Sequence, residues 1–398
     1  MSINAADAPT LSRADWFATI AGISGTLVAI GLARFAYTPL IPPLIGAHWF
    51  SAADAVSLGA ANFAGYLAGA LLGRPIASVV SNRSALRWLM LLATAAFFAC
   101  AFPLSVTWFF VWRFASGLAG GSIMVLVATS ILPHIPMAKR GFVGGMIFLG
   151  LGLGIVASGT LIPELLKLGL RDTWIGLGIL SLFLTALSWF GWPTANPPAP
   201  VEDVTNHSTK RSKLPLRILY GQYAANALGL VPVMVLLVDY IARGLGRGAT
   251  IGAEYWVLYG LAATVGPVLS GYVADKIGFG RGYRAALLSQ AIAVAVLAAT
   301  ENPYAIGVAT VILGIFTPGI VALVLGRIQE ILPGDHLAQR AAWSKATTAF
   351  ALFQALGGYG YAFLFAHTGE NYEIIFVIAA GALIVALLAD VVGGRKTA

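Results

Sequence analysis

The chain has 398 residues, of which 59% are hydrophobic and only 10% charged, with a formal net charge of +8. Soluble domains carry about 25% charged residues, so this composition excludes a water-soluble enzyme and points to lipid. The basic residues sit in short gaps between apolar runs rather than on one face, which argues against nucleic acid and for the positive-inside rule.

The first dozen residues are polar, and the apolar run after Arg13 is too long for a signal-peptide core, so an uncleaved first span is expected. A span needs about 20 mostly apolar residues. Twelve such runs follow in order, at 16–45, 52–73, 85–103, 107–132, 142–163, 173–192, 215–241, 251–274, 282–300, 303–332, 340–366 and 372–392. The fold class is therefore all-α integral membrane, with residues 1–192 and 215–398 as two six-helix bundles. The stretch 193–214 joins them; Pro197, Pro198 and Pro200 cannot donate backbone hydrogen bonds, and Lys210, Arg211 and Lys213 need water.

With the N-terminus inside, seventeen basic residues fall on the cytoplasmic side and four outside. Arg34, Arg113 and Lys345 remain within or at the ends of spans. Both termini are therefore expected in the cytoplasm. The block Ile131-Leu132-Pro133 followed by Arg140 recurs 200 residues later as Ile331-Leu332-Pro333 followed by Arg340. That offset suggests a duplicated unit whose copies share one orientation. Gly117, Gly120 and Gly121 in the fourth span, and Gly141, Gly145, Gly150 and Gly154 in the fifth, are read as sites of close helix packing. Pro39, Pro232, Pro267 and Pro318 lie inside spans and are read as kinks.

Two stretches carry a family resemblance. One is Gly271-Tyr-Val-Ala-Asp275-Lys276-Ile-Gly278-Phe-Gly-Arg281, after the eighth span. The other is Arg113-Phe-Ala-Ser-Gly117 in the fourth. Both resemble signatures of the major facilitator superfamily of secondary transporters. The matching loop after the second span keeps Gly69 and Arg74 but lacks the aspartate. Gly31-Leu-Ala-Arg34-Phe35-Ala-Tyr37-Thr38-Pro39-Leu-Ile-Pro42 resembles the first-span signature of the YbfB/YjiJ-like branch. The resemblance implies a monomeric carrier that works by alternating access in a bacterial inner membrane. It also implies a small-molecule substrate, a proton as coupling ion and no cofactor. In the family, an aspartate such as Asp275 helps close the cytoplasmic gate, here toward Arg140 at the start of span five, with Lys276 beside it.

The residues themselves name candidates. An ionisable group mid-span costs at least about 2.5–3.5 kcal/mol and needs a partner or a wet cavity. Arg34 sits deep in the first span, with Tyr37 and Thr38 at i+3 and i+4. Its fork suits a carboxylate or phosphate, or else carbonyls freed by Pro39 and Pro42. Arg113 has a coupling role or a structural one, holding its span to backbone carbonyls. Lys345 either snorkels to the surface or joins the cavity. Asp239 pairs with Arg243 or couples to transport. Neutral candidates for a binding wall are Asn62, Tyr66, Gln222, Asn226 and Gln354, each of which can instead bond across helices. Tyr255, Trp256 and Tyr259 are expected at the membrane interface.

The five histidines are scattered and no His-x-x-x-His spacing occurs, which disfavours a metal site or a lipid-modifying enzyme. An excess of cations over acids in the cavity favours an anionic, carboxylate-like solute. Efflux of amphipathic compounds is the alternative.

Overall fold

A computed structural model describes residues 10–194 and 213–394, so nearly all of the linker lies outside the described residues. Twelve helices are long and apolar enough to cross a membrane. They are α1 (Arg13–Gly46), α2 (Ala52–Val80), α3 (Asn82–Cys100), α4 (Val106–Ile131), α5 (Arg140–Leu166) and α6 (Leu170–Ser188) in the first bundle. The second holds α7 (Leu214–Gly244), α8 (Gly248–Ile277), α9 (Phe279–Ala299), α10 (Pro303–Ile331), α11 (His336–His367) and α12 (Tyr372–Gly394). In hydrocarbon every backbone N–H and C=O must be paired within the segment, which is why the apolar runs are helical throughout. Their starts are capped by short polar side chains: Ser51, Ser81, Ser105, Asn302 and Asp335 each accept from a backbone N–H one turn on.

Two expected loops are helical instead. Gly69–Arg74 and Gly271–Lys276 form the last turns of α2 and α8, which run past the apolar stretch to Val80 and Ile277. The chain reverses only at Ser81 (φ 78°) and Gly278 (φ 87°), and the positive φ suits glycine at the second position.

Each bundle is tied together by glycines where backbones meet. A Cβ on Gly117 would lie 2.0 Å from the Asn62 carbonyl oxygen, and one on Gly121 2.1 Å from that of Tyr66, fixing α4 on α2. The second bundle repeats this between α8 and α10, where a Cβ on Gly266 would meet the Ile315 oxygen at 2.1 Å. In α5, Gly150 and Gly154 pack against α1 in the same way. Gly141 and Gly145, expected to do likewise, face open space.

The two bundles meet along α2–α11, α5–α8 and α1–α7. The face where residues 194 and 213 emerge is called here the linker face. Toward the opposite, far face the bundles are closed. Thr38 of α1 donates to the Met234 carbonyl of α7, Gly358 of α11 abuts Ala60 and Phe63 of α2, and Gly159 of α5 abuts Val257 of α8. Positions seven apart lie nearly above one another on a helix. On α5 that column is Gly159, Gly152 and Gly145. The first two touch Val257 and Thr264 of α8, whereas Gly145 touches nothing, and neither does Gly271, seven residues beyond Thr264. The helices therefore diverge toward the linker face, and the molecule is closed on the far side and open on the linker side.

Candidate functional site

The helix α1 is interrupted at the depth where its arginine sits. A π-helical turn spans Leu27–Leu32, a short α segment spans Ala33–Phe35, and regular helix resumes at Tyr37. Pro39 has no N–H to return to the Phe35 carbonyl, which suits the turn at Ala36. The Ala33 carbonyl accepts from Arg113 Nη1 of α4 at 2.6 Å. It is thus Arg113, not Arg34, that ties down this part of α1. Arg113 also stacks its guanidinium over the Tyr37 ring, 4.1 Å from the centroid.

Arg34 is left for something else. Its guanidinium lies over Tyr66 at 4.2 Å and within 5.0 Å of the Phe63 ring. Its Nε and Nη2 are buried without a hydrogen-bond partner. Among the described residues no carboxylate pairs with it. Tyr37, although close along the helix, donates its hydroxyl to the Ala55 carbonyl at 2.8 Å. Thr38 is occupied by Met234 of the other bundle. Neither leaves a polar group free beside Arg34.

Most of the neutral candidates prove to be joints between helices. Asn62 donates to Ser116 Oγ at 3.0 Å, beside Arg113. Gln222 donates to the Ala386 carbonyl of α12 at 2.9 Å. Asn226 donates to Gln290 of α9 at 2.8 Å. Gln354 of α11 reaches Met234 Sδ at 3.3 Å, behind the Thr38 contact, and its Oε1 is buried without a partner. Tyr66 alone of this group touches Arg34. Lys345 is exposed and shares a column on α11 with the exposed Leu352, Leu356 and Phe363, an arrangement that suits snorkelling.

A second wall went unread in the sequence. Trp256 and Tyr259, expected at the interface, are fully buried and stacked at 4.9 Å. Trp256 packs against Phe35, the residue after Arg34, at 6.1 Å, and donates to Ser158 Oγ of α5 at 3.1 Å. Tyr259 pairs with Thr317 of α10. Because α8 begins at Gly248, Trp256 lies two turns inside the membrane; the start assigned from hydropathy fell three residues later.

Asp239 is far from this site, at the far-face end of α7. Arg243 Nε lies 2.7 Å from Oδ1, and the Tyr372 hydroxyl donates to Oδ2 at 2.6 Å. Arg243 also bridges to Glu370. The pairing with Arg243 was legible from i,i+4 spacing; Tyr372 and Glu370 come from α12 and the loop before it. Breaking one partner of a buried pair leaves a lone charge. Arg243→Gln is thus expected to destabilise the fold by about 3 kcal/mol, and Tyr372→Phe by about 1 kcal/mol. Denaturant or thermal melts in detergent check both.

At the linker face Asp275 is exposed, with no partner among the described residues, and Lys276 lies over Tyr272 at 4.3 Å. Arg140 donates to the Ile135 and Pro133 carbonyls of its own loop. Glu330 at the end of α10 accepts from the backbone N–H of Phe279 and Gly280 and from Arg327, fixing the turn after Asp275.

The model of the family described as "Uncharacterised MFS-type transporter YbfB" matches residues 26–391. The chain belongs to this family. It is accordingly a multi-pass membrane transporter and not an enzyme. None of the curated proteins matches it. Solved structures agree in fold. A D-xylose-proton symporter superposes with a TM-score of 0.73 at 18% identity, over 94% of this chain and 96% of its own. The xylose transporter XylE from E. coli, in a partially occluded inward open conformation, gives 0.71 at 16%, over 95% and 97%. The POT family transporter PepTSo gives 0.72 at 13%, over 98% and 99%.

Proposed function

We propose that this family member moves a small organic anion, held by its carboxylate on Arg34, through alternating access coupled to protons. The observation that carries this reading is the pair of buried, unpartnered N–H groups on Arg34. A guanidinium presents parallel donors that match a carboxylate, and a lone cation at this depth is costly until an anion arrives. The Tyr66 ring holds the fork flat and ready. Taking the linker face as cytoplasmic, as the seventeen-to-four bias of basic residues supports, the site faces inward in a bacterial plasma membrane with both termini inside.

Rocking of the two bundles as monomeric units would then expose Arg34 to the other side. Asp275, with Lys276 beside it, would close on the positive N-terminal end of α5 near Arg140 in that movement. Proton coupling is supported by the likeness to a structure named as a proton symporter. The described acids lie toward helix ends, so no described carboxylate stands beside Arg34 to take the proton. An amphipathic export cargo is the second reading, favoured by the aromatic group Phe35, Trp256 and Tyr259 on the facing surfaces of the bundles.

Counterflow in proteoliposomes separates these. Organic anions, organic cations and neutral sugars are each tested with and without a pH gradient. Anions are expected to exchange and to accumulate on acidification of the opposite side. Transport of cations with no response to anions would overturn the charge argument.

A further inference from the structure

Arg113, Trp112 and Trp174 surround a cavity of about 10 Å3 inside the first bundle, away from the interface between bundles. Ala33, Ala93, Ala96, Phe97, Cys100 and Ser116 complete its lining. A void of this size admits one particle about as large as a water molecule. Arg113 and Trp174 are almost completely buried, at 3% and 1% exposure. Arg113 Nε, Trp112 Nε1 and Trp174 Nε1 are all buried and all lack an acceptor. Buried donors without partners are rare, and three on residues sharing one small cavity call for an occupant that accepts. Arg113 uses Nη1 on the Ala33 carbonyl, which offsets no charge, and among the described residues no carboxylate pairs with it.

We infer that this cavity binds a single halide, chloride under ordinary conditions. A halide accepts from all three donors and neutralises the guanidinium. Water would also accept, but it carries no charge, and the cation would stay uncompensated. Sulfate, phosphate and carboxylates are too large for the space. The ion links α4 to α6 within walls supplied by α1 and α3, so it acts on the stability of the first bundle. It is independent of what the transporter carries.

The full chain, purified in detergent, is melted in sodium chloride, bromide, gluconate or sulfate at one ionic strength. Chloride and bromide are expected to raise the melting temperature saturably, by about 3 °C at 100-fold over the dissociation constant, and gluconate and sulfate not to. Arg113→Gln also severs the Ala33 bond, so the indoles carry the test. Trp112→Phe and Trp174→Phe keep the ring but lose the donor, and each is expected to raise the half-saturating chloride about 10-fold. Crystals grown in bromide should give one anomalous peak among the three side chains. Equal melting in chloride and gluconate would mean that water fills the cavity. A chloride effect unchanged in both variants would place the ion elsewhere. Either result overturns the assignment.

Discussion

Arg34→Gln is expected to weaken binding of a carboxylate substrate by at least about 100-fold and to leave the protein folded. Each hydrogen bond to a charged group contributes about 1.5–3 kcal/mol, and the two free donors of Arg34 supply two of them. The fold should survive because Arg34 holds no backbone carbonyl; that task belongs to Arg113. Removing an unpaired cation from mid-membrane should even raise the melting temperature of the ligand-free protein. Arg34→Lys keeps the charge but loses the planar fork and its stacking on Tyr66, and is expected to fall between wild type and Arg34→Gln. Ligand-dependent thermal shift and liposome counterflow measure both variants. Wild-type uptake by Arg34→Gln would remove Arg34 from the site.

Gly145→Trp is expected to abolish transport while preserving binding. The column Gly159, Gly152 and Gly145 on α5 is in contact with α8 at its first two members and open at the third. When the far side opens, the linker halves of α5 and α8 must approach, and a glycine at 145 permits backbone contact. An indole there holds them apart, so the site stays accessible from the linker face and cannot cross. Gly145→Ala should retain partial transport. Gly152 is the opposite case: a Cβ there would lie 2.4 Å from Thr264 Oγ1 and 2.9 Å from its Cα, so Gly152→Val should loosen the far-side closure instead. Wild-type counterflow by Gly145→Trp would show that α5 and α8 never meet at this level.

The fold was legible because lipid leaves the chain little choice. Twelve apolar runs must be twelve helices, and the 200-residue offset between matching blocks suggested a duplicated unit. Arg34 was legible for a related reason: a guanidinium 21 residues past Arg13 cannot reach the surface and must find a partner. Asn62, Gln222, Asn226 and Gln354 resembled a binding wall because amides in spans are scarce. Which way an amide turns depends on the rotation of its helix against its neighbours. Those rotations are set by glycines whose opposing partners are distant in sequence: Gly117 and Gly121 for α4 on α2, and Gly229 of α7, where a Cβ would lie 2.4 Å from Leu383 of α12. Gln222 and Asn226 of α7 bridge to α12 and α9. Lys345 was ambiguous from spacing alone; its column on α11 with the exposed Leu352, Leu356 and Phe363 suits snorkelling. Trp256 and Tyr259 went astray because aromatics near a span's start usually mark the interface, and here the helix begins earlier than its hydropathy does.

Cys100, the sole cysteine of the chain, is 1% exposed and forms part of the wall of the small cavity in the first bundle. Thiol reagents should therefore find almost nothing to react with in the unmodified protein. Spin labels or fluorophores can then be attached at chosen pairs of engineered cysteines, one in each bundle, without first mutating the native thiol. Distance distributions between such labels would track the opening and closing of each face directly, in nanodiscs and under a membrane potential.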